Sequence, residues 1–348
     1  MPGSMVHLFV ARKIKPKGSI HFYIGSIAPD AVSNWKEKDI THFRNLADRS
    51  QALAALARKT PPSDDFAEGV LLHLYVDWRW DIVARDEFIK TVEGDWFTKY
   101  RKEIGLTSSY SYHHTEWAKE MWEQMELVNP AEYGHIPGAA PEELKDFIGR
   151  TVKWLNDNKT EASDVFTPEF IDEFVDKIAD EYTQWKIQQE IAYYNSLPVV
   201  FEGFVDIPEL TDGEIELVCV GKKPPIPEMK RVPAYKFEIC RNSSRVGKIT
   251  LRIGYTDNLY YGGQIGYAVD EQHRGHGYAE KACRLLVPVI RAHGMKKVLI
   301  TNNHTNIASR RTCEKLGAKL IRTAPIPVWH ELYQNGQRYE NIFEWSVD

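Results

Sequence analysis

The sequence predicts a two-part chain, an all-helical N-terminal half followed by an α/β C-terminal half, and three observations predict it. Apolar residues recur at helical, 3.6-residue spacing through most of the first 195 positions. A strand-like run, Gln264–Val269, leads into a glycine turn and a helical stretch, Glu280–Ala292, with a second apolar run at Lys297–Thr301. Composition also changes near Tyr193–Val200: residues 1–195 hold 32 acidic and 23 basic side chains, a net −9, whereas the remainder holds 17 and 21, a net +4. Eight of ten tryptophans precede that point and all four cysteines follow it, so the 348 residues read as a multi-domain chain. The expected bounds are 5–195 for the helical domain, 196–212 for a linker and 213–348 for the second domain.

Within the first half, helices are expected over 43–59, 65–83, 115–128, 141–155 and 168–194. Pro141 followed by Glu142 and Glu143, and Thr167-Pro168-Glu169, place proline and acid in a first turn. Met1–Ser4, ahead of a second methionine at Met5, reads as an added tail and is set aside. About 190 residues of helix are enough to bury a core of their own.

Metal-ligand residue types recur in this half where an amphipathic helix does not need them. His73 and Asp77, in HLYVD, are four apart and share a helix face with Leu74 and Val76 nearby. His7 sits in the apolar string Val6–Val10, Asp30 follows Pro29, and His42 lies near an expected helix start. His113 and His114 form a pair after an aromatic stretch expected to be a loop. Buried without partners, such groups cost several kcal/mol each. A shared divalent cation would satisfy them; so would individual hydrogen bonds within a core, and the residues alone leave both open.

In the second half, Gln272–Ala279 reads QHRGHGYA between the strand-like run and the helix. A strand, a tight glycine turn and a helix start make a cradle of free N–H groups suited to a pyrophosphate. Gly275 and Gly277 permit positive φ, and Arg274 can add a charge-assisted contact. The string is neither GxGxxG nor GxxxxGK[ST]. Farther on, TNNHTNIASRRTCEKL spans Thr301–Leu316 and ends at Gly317, which is expected to cap the helix.

The net charge of +4 suits a phosphorylated cofactor, but with no lysine-rich tail or aromatic-interleaved basic run it implies no nucleic-acid partner. Four cysteines without CxxC or CxxH spacing read as reduced thiols and a cytoplasmic protein. No apolar run of about 18 residues suggests membrane insertion.

QxxGxG/A followed by NxxSxxxxEKLG resembles the GNAT family of N-acetyltransferases over about residues 213–348. The resemblance implies a mixed, mostly antiparallel sheet and acetyl-CoA as donor. It places the pyrophosphate-binding backbone on Gln272, His273, Arg274, Gly275, His276, Gly277, Tyr278 and Ala279. Tyr267, Ala268 and Val269 would pair with the pantetheine arm, with an oxyanion-binding main-chain N–H near Val269, and Asn306 and Ser309 would contact coenzyme A. Many members carry a tyrosine acid where this chain has Cys313. The base stays unassigned among Glu238, Glu271 and Glu331, and the acceptor is a small-molecule or peptide amine.

The strings HLFVARKI, GSIAPDAV, THFR and GVLLHLYVDWRWD resemble the zinc-dependent phospholipase C family over about residues 5–130. That resemblance implies one or two zinc ions on His7, Asp30, His42, His73 and Asp77, with His113 or His114 as further ligands. Zinc accepts imidazole nitrogen and carboxylate oxygen and can activate water. The expected function is therefore an acetyl-CoA-dependent N-acetyltransferase joined to a zinc-binding helical domain. The alternatives are a zinc-dependent phosphoesterase with an auxiliary acetyltransferase, or a degenerate helical scaffold that presents substrate or pairs two copies into a homodimer.

Overall fold

The computed structural model describes residues 1–229 and 231–347, in two compact units, Met1–Glu190 and Ile191–Asp348. The first unit is helical: α1 (Ser4–Ile14), α2 (Ile20–Gly25), α3 (Trp35–Thr41), α4 (Arg49–Ala57), α5 (Asp65–Trp80), α6 (Asp86–Thr91), α7 (Trp96–His114), α8 (Ala118–Leu127), α9 (Pro141–Asp157) and α10 (Pro168–Asn195), the last running past the boundary. Short polar residues start these helices as expected of N-caps. Asp48, Asp64 and Asp95 each accept a backbone N–H three residues on, and the Glu143 carboxylate reaches back to the Ala140 N–H at 2.7 Å.

Five helices, α1, α2, α3, α6 and α7, lie outside the expected ranges, and the two longest of them escape the periodicity argument for opposite reasons. α1 is apolar nearly all round, because Met5, Val6, Leu8, Val10 and Ala11 are all fully buried. Ser4 opens that helix and Pro2 is buried, so Met1–Ser4 belong to the fold and are no detached tail. α7 buries Tyr100, Thr107, Ser108, Ser109 and Tyr112, a largely polar set that gives little apolar signal. The expected aromatic loop before His113 is thus the end of a 19-residue helix. Similarly, His42 closes α3 as its C-cap instead of opening a helix, and the expected helix from Phe43 begins at Arg49, after a turn in which Phe43 holds φ +56°.

α5 is the axis of the unit, buried from Phe66 to Trp80 on nearly every face. It crosses α2 at a pair of glycines, where backbone meets backbone: a Cβ on Gly69 would lie 2.3 Å from the Phe22 carbonyl oxygen, and one on Gly25 would lie 2.2 Å from that of Phe66. The helix ends in a single π turn, Asp81–Arg85, which continues into α6.

The second unit is a seven-stranded sheet with helices. Its elements are β1 (Glu216–Lys223), β2 (Ala234–Arg241), β3 (Ser244–Arg252), α11 (Asp257–Gly262), β4 (Ile265–Val269), α12 (Tyr278–Leu285), α13 (Val287–Ala292), β5 (Lys297–Asn303), α14 (Ile307–Leu316), β6 (Lys319–Pro325), α15 (Glu331–Gln334) and β7 (Tyr339–Ser346). Strand order is β1-β2-β3-β4-β5-β7-β6, with β4 and β5 parallel and every other pair antiparallel. The single helix expected over 280–292 breaks at Leu286, because Pro288 has no N–H to continue the ladder. Residues 196–212, expected to be a linker, pack on this unit. Leu210 is buried, Phe201 and Phe204 lie against the core, and the Val205 N–H donates to the Tyr235 hydroxyl at 2.8 Å.

The strands that position the site are β4 and β5. They share one paired position, Ile265 with Ile300, and then part. Just before it, the buried Gln264 side chain ties the two: its Oε1 accepts from the Leu299 N–H at 2.6 Å and its Nε2 donates to the Gly254 carbonyl at 3.0 Å. Beyond that point Gly266–Val269 pair with β3 alone.

Candidate functional site

Where β4 parts from β5, main-chain groups are left to face the opening. Asp270 donates its N–H to Val246 on β3 at 2.9 Å, so by strand alternation the polar edges of Tyr267 and Val269 point the other way. The Val269 carbonyl accepts from Arg274 Nε at 3.3 Å, on that far edge. The Val269 N–H therefore faces the opening.

The loop Gln272–Ala279 follows directly. Glu271–His273 form one 3-10 turn, and Gly275 and Gly277 hold φ +86° and +78°. A Cβ on either glycine would meet nothing within 4 Å, so positive φ, not crowding, requires them, and the space before the helix stays clear. The first helical bond of α12 is Lys281 N–H to Gly277 carbonyl, which leaves the N–H groups of Tyr278, Ala279 and Glu280 free of intrahelical partners. Gln272, Arg274 and His276 are exposed around this end, and the His276 ring stacks on Tyr278. Asn306 caps α14 by accepting the Ser309 N–H at 3.0 Å, and Ser309 Oγ lies 2.9 Å from the Tyr267 hydroxyl, which ties the second motif to β4.

A cavity of about 290 Å3 opens at the same place, lined by Arg252, Tyr267, Thr301, Asn302, Glu331 and Glu340 among others. Of the glutamates expected as bases, Glu331 lines this cavity at the start of α15. Glu238 lies on β2 facing Arg245 at 3.9 Å, and Glu271 is exposed in the 3-10 turn; neither lines it. Cys313 is fully buried on α14, with Asn302 Nδ2 at 3.7 Å. Burial pushes its thiol up to about 12, against hydrogen bonds from Asn302 and Tyr267. A thiol so held gives its proton to an ordinary thiolate, pKa about 8.5, at a thermodynamic disadvantage, so its surroundings oppose the acid role.

Glu340 was missing from the sequence reading. The signal was present: Glu340 and Glu344 flank the apolar pair Ile342 and Phe343 and, four residues apart in a strand, lie on one face. Both are buried. Glu344 is neutralised by Lys297 at 2.9 Å and the Tyr194 hydroxyl at 2.9 Å, whereas Glu340 Oε2 has no hydrogen-bond partner.

In the helical unit, the expected ligands His7, Asp30, His42, His73 and Asp77 converge. Ligand atoms of His7, Asp30 and His73 lie within 4.8 Å of one another, as do those of His42, His73 and Asp77. Asp77 is reached by His7 Nε2 at 3.4 Å, His42 Nε2 at 3.6 Å and His73 Nε2 at 3.9 Å. Burial opposes its ionisation, yet a hydrogen bond from His7 and the surrounding imidazoles hold its carboxyl well below the usual range. Burial pulls both His42 and His73 down, so they are neutral near pH 7.

Their tautomers are fixed by their other nitrogens. His42 Nδ1 faces the Lys38 carbonyl at 2.8 Å, and His73 Nδ1 faces that of Ser26 at 2.9 Å, so each Nδ1 carries the proton. The two Nε2 lone pairs then confront one another at 3.2 Å, beside a carboxylate, and Nδ1 of the buried His7 lacks a hydrogen-bond partner. Two acceptors at that distance need a positive charge between them. Arg44 pairs with Asp77 at 3.0 Å and Lys38 with Asp30 at 2.7 Å, but neither bridges the imidazoles. His113 and His114 do not join the cluster. They end α7, where His113 Nε2 meets the Leu155 and Asn158 carbonyls and His114 stacks on Tyr110 with Nδ1 on that residue's carbonyl, as suits the last turn of a helix.

An acetyltransferase (GNAT) domain family matches residues 179–319, so this part of the chain carries a GNAT domain. No curated protein matches the chain. Among solved structures it is similar to an acetyl transferase from Salmonella typhimurium that modifies the N-terminal serine of ribosomal protein L7/L12, at 19% identity over 33% of this chain and 64% of that one, TM-score 0.28. It is also similar to the microcin C7 self-immunity acetyltransferase in complex with acetyl-CoA and AMP, at 21% identity over 32% and 61%, TM-score 0.26. A third is a ribosomal L7/L12 alpha-N-protein acetyltransferase in complex with coenzyme A, at 14% identity over 41% and 98%, TM-score 0.30. The chain spans somewhat under two thirds of the first two. The expected kinship of the helical half with zinc-dependent phospholipases C finds no counterpart in these matches. Among the described residues no helix is long and apolar enough to cross a membrane.

Proposed function

We propose that the C-terminal unit binds acetyl-CoA and transfers its acetyl group to a small-molecule or peptide amine. The observation that carries this reading is the parting of β4 from β5 directly before a glycine loop and a helix N-terminus. Those features suit the two ends of one ligand. The free N–H groups at the start of α12, with Arg274, would hold the pyrophosphate. The open edge of β4 at Tyr267 and Val269 would pair with the pantetheine amides, and Asn306 and Ser309 lie on the neighbouring helix. When bound, the group supplies an activated acetyl thioester. The Val269 N–H is oriented to stabilise negative charge on the acetyl oxygen, an effect worth about 3 kcal/mol for one such donor in comparable sites.

Coenzyme A at a hundredfold excess over its Kd is expected to stabilise the protein by about 2.7 kcal/mol, read as a rise in the midpoint of thermal unfolding. No shift at millimolar coenzyme A, together with no acetyl transfer to a broad amine panel, would sink the reading.

The facing imidazole lone pairs favour a second function, a divalent metal centre in the helical unit held by His7, Asp30, His42, His73 and Asp77. Nitrogen and carboxylate donors suit zinc, one or two ions, and backbone carbonyls on the Nδ1 atoms are the outer contacts such ligands use. Elemental analysis of protein purified without chelator is expected to find at least about one transition-metal equivalent, lost in His73→Ala. Metal-free protein of unchanged stability would overturn it. Phosphodiester turnover that falls in the same variant would add a hydrolase activity. Bound metal without turnover would leave the centre structural.

A further inference from the structure

The cavity at the β4–β5 opening contains a buried carboxyl, that of Glu340, with which none of the described residues forms an ion pair. Glu340, the second residue of β7, is 4% exposed, its Oε2 is without a hydrogen-bond partner, and the other polar influence on the carboxyl is a hydrogen bond from Thr301. Its cross-strand neighbours are Asn303 on β5 and Ala324 on β6, neither of which titrates. The titratable or charged groups that share the cavity are Arg252 on β3, Tyr267 on β4 and Glu331 on α15. Arg252 donates to the Gly263 carbonyl at 3.1 Å and is not among the groups that act on the Glu340 carboxyl. A buried carboxyl that opens on a cavity without a counter-ion is destabilised as an anion and stabilised by any proton or cation that enters.

We propose that Glu340 is the general base that takes a proton from the acceptor amine. The inference rests on the acetyl-transfer reading given above. The entering ammonium gives one proton to the Glu340 carboxylate. The freed lone pair forms the C–N bond to the thioester carbonyl carbon, and the C–S bond breaks with its electron pair left on sulfur. The second proton on nitrogen passes to that thiolate, and Glu340 returns its own proton to solvent, so the turnover yields amide, thiol and one proton. Burial, against the Thr301 hydrogen bond, raises the carboxyl to about 7, which places it where a base is both ionised and proton-accepting near neutral pH. The same cavity selects a primary amine over a hydroxyl, since an entering cation gains from the buried carboxylate what a neutral alcohol cannot.

Glu340→Gln keeps the shape and removes the base, and Glu340→Asp keeps the base on a shorter arm. Three readouts are compared: coenzyme A affinity by calorimetry, the pH profile of kcat on a panel of spermidine and short peptides with free Ser, Ala or Met N-termini, and thermal unfolding of the free protein between pH 5 and 8. The expected result is coenzyme A affinity within twofold of wild type, kcat reduced at least about a hundredfold with the limb near pH 7 gone, and partial recovery in Glu340→Asp. In the free protein a raised carboxyl binds more protons folded than unfolded, so wild-type stability falls as pH rises from the ordinary carboxyl range through about 7, and Glu340→Gln gains on it over that window. Full activity with an unchanged profile in Glu340→Gln would overturn the base while leaving the acetyltransferase standing. Absence of coenzyme A binding by wild type would remove the parent reading first. Wild type that binds coenzyme A but acetylates none of the panel would overturn the base as well, because such a site has no amine to deprotonate.

Discussion

Gly69→Ala is expected to destabilise the helical unit by about 3 kcal/mol, a fall of about 6–12 °C in its unfolding midpoint for a domain of this size. The added methyl would sit 2.3 Å from the Phe22 carbonyl oxygen and 2.7 Å from the Ser26 nitrogen, both backbone atoms that cannot rotate away. Relief requires α2 and α5 to separate. That would stretch the 2.9 Å bond from His73 Nδ1 to the Ser26 carbonyl, so the imidazole cluster loosens along with the crossing. Alanine gains about 1 kcal/mol over glycine in a helix interior, which only partly offsets the clash. Gly105→Ala in α7 is the control: its methyl would rest 3.7 Å from the Trp154 ring, an ordinary contact, and the variant should be as stable as wild type or slightly more so. Chemical denaturation of both variants decides the matter, and a loss under about 1 kcal/mol in Gly69→Ala would mean that the crossing relaxes easily.

Asp77→Ala is expected to cost about 3–5 kcal/mol, the range for removing one partner from a buried charged network. Asp77 is fully buried and faces three imidazoles and Arg44. Arg44 retains Asp81 at 3.2 Å, but the imidazoles lose the one carboxylate common to all three. Asp77→Asn keeps the volume and should fall between the two. Equilibrium unfolding in denaturant measures both, and equal stability of Asp77→Ala and wild type would show that the cluster contributes nothing to the fold.

What could be read from sequence follows from which side chains reported their surroundings. The loop at Gly275 and Gly277 was legible because positive φ leaves a residue-specific mark, and long amphipathic helices such as α9 were legible because one face is apolar and the other charged. α7 was hidden because it buries hydroxyls, and α1 because it has no polar face to set a period. The cluster at Asp77 could be suspected residue by residue, yet its meaning lies in facing lone pairs, and those depend on two carbonyls, of Ser26 and Lys38, that no pattern of side chains encodes. Glu340 was overlooked because a glutamate in a strand reads as an exposed residue. Its neighbour in pattern, Glu344, carries a lysine partner and Glu340 does not, a distinction that belongs to tertiary structure.

The parting of β4 from β5 has a mechanical consequence. A sheet joined across one paired position is two plates, β1 to β4 and β5 with β7 and β6, that meet along a seam only at its apex. At that apex the amide of Gln264 spans both plates, one end on Leu299 and the other on the turn at Gly254. Elsewhere in the sheet a ladder of many bonds resists opening; here one residue, Gln264, wholly out of contact with solvent and bonded to Leu299 through both its main-chain N–H and its side chain, sets the angle of the wedge into which a ligand must fit.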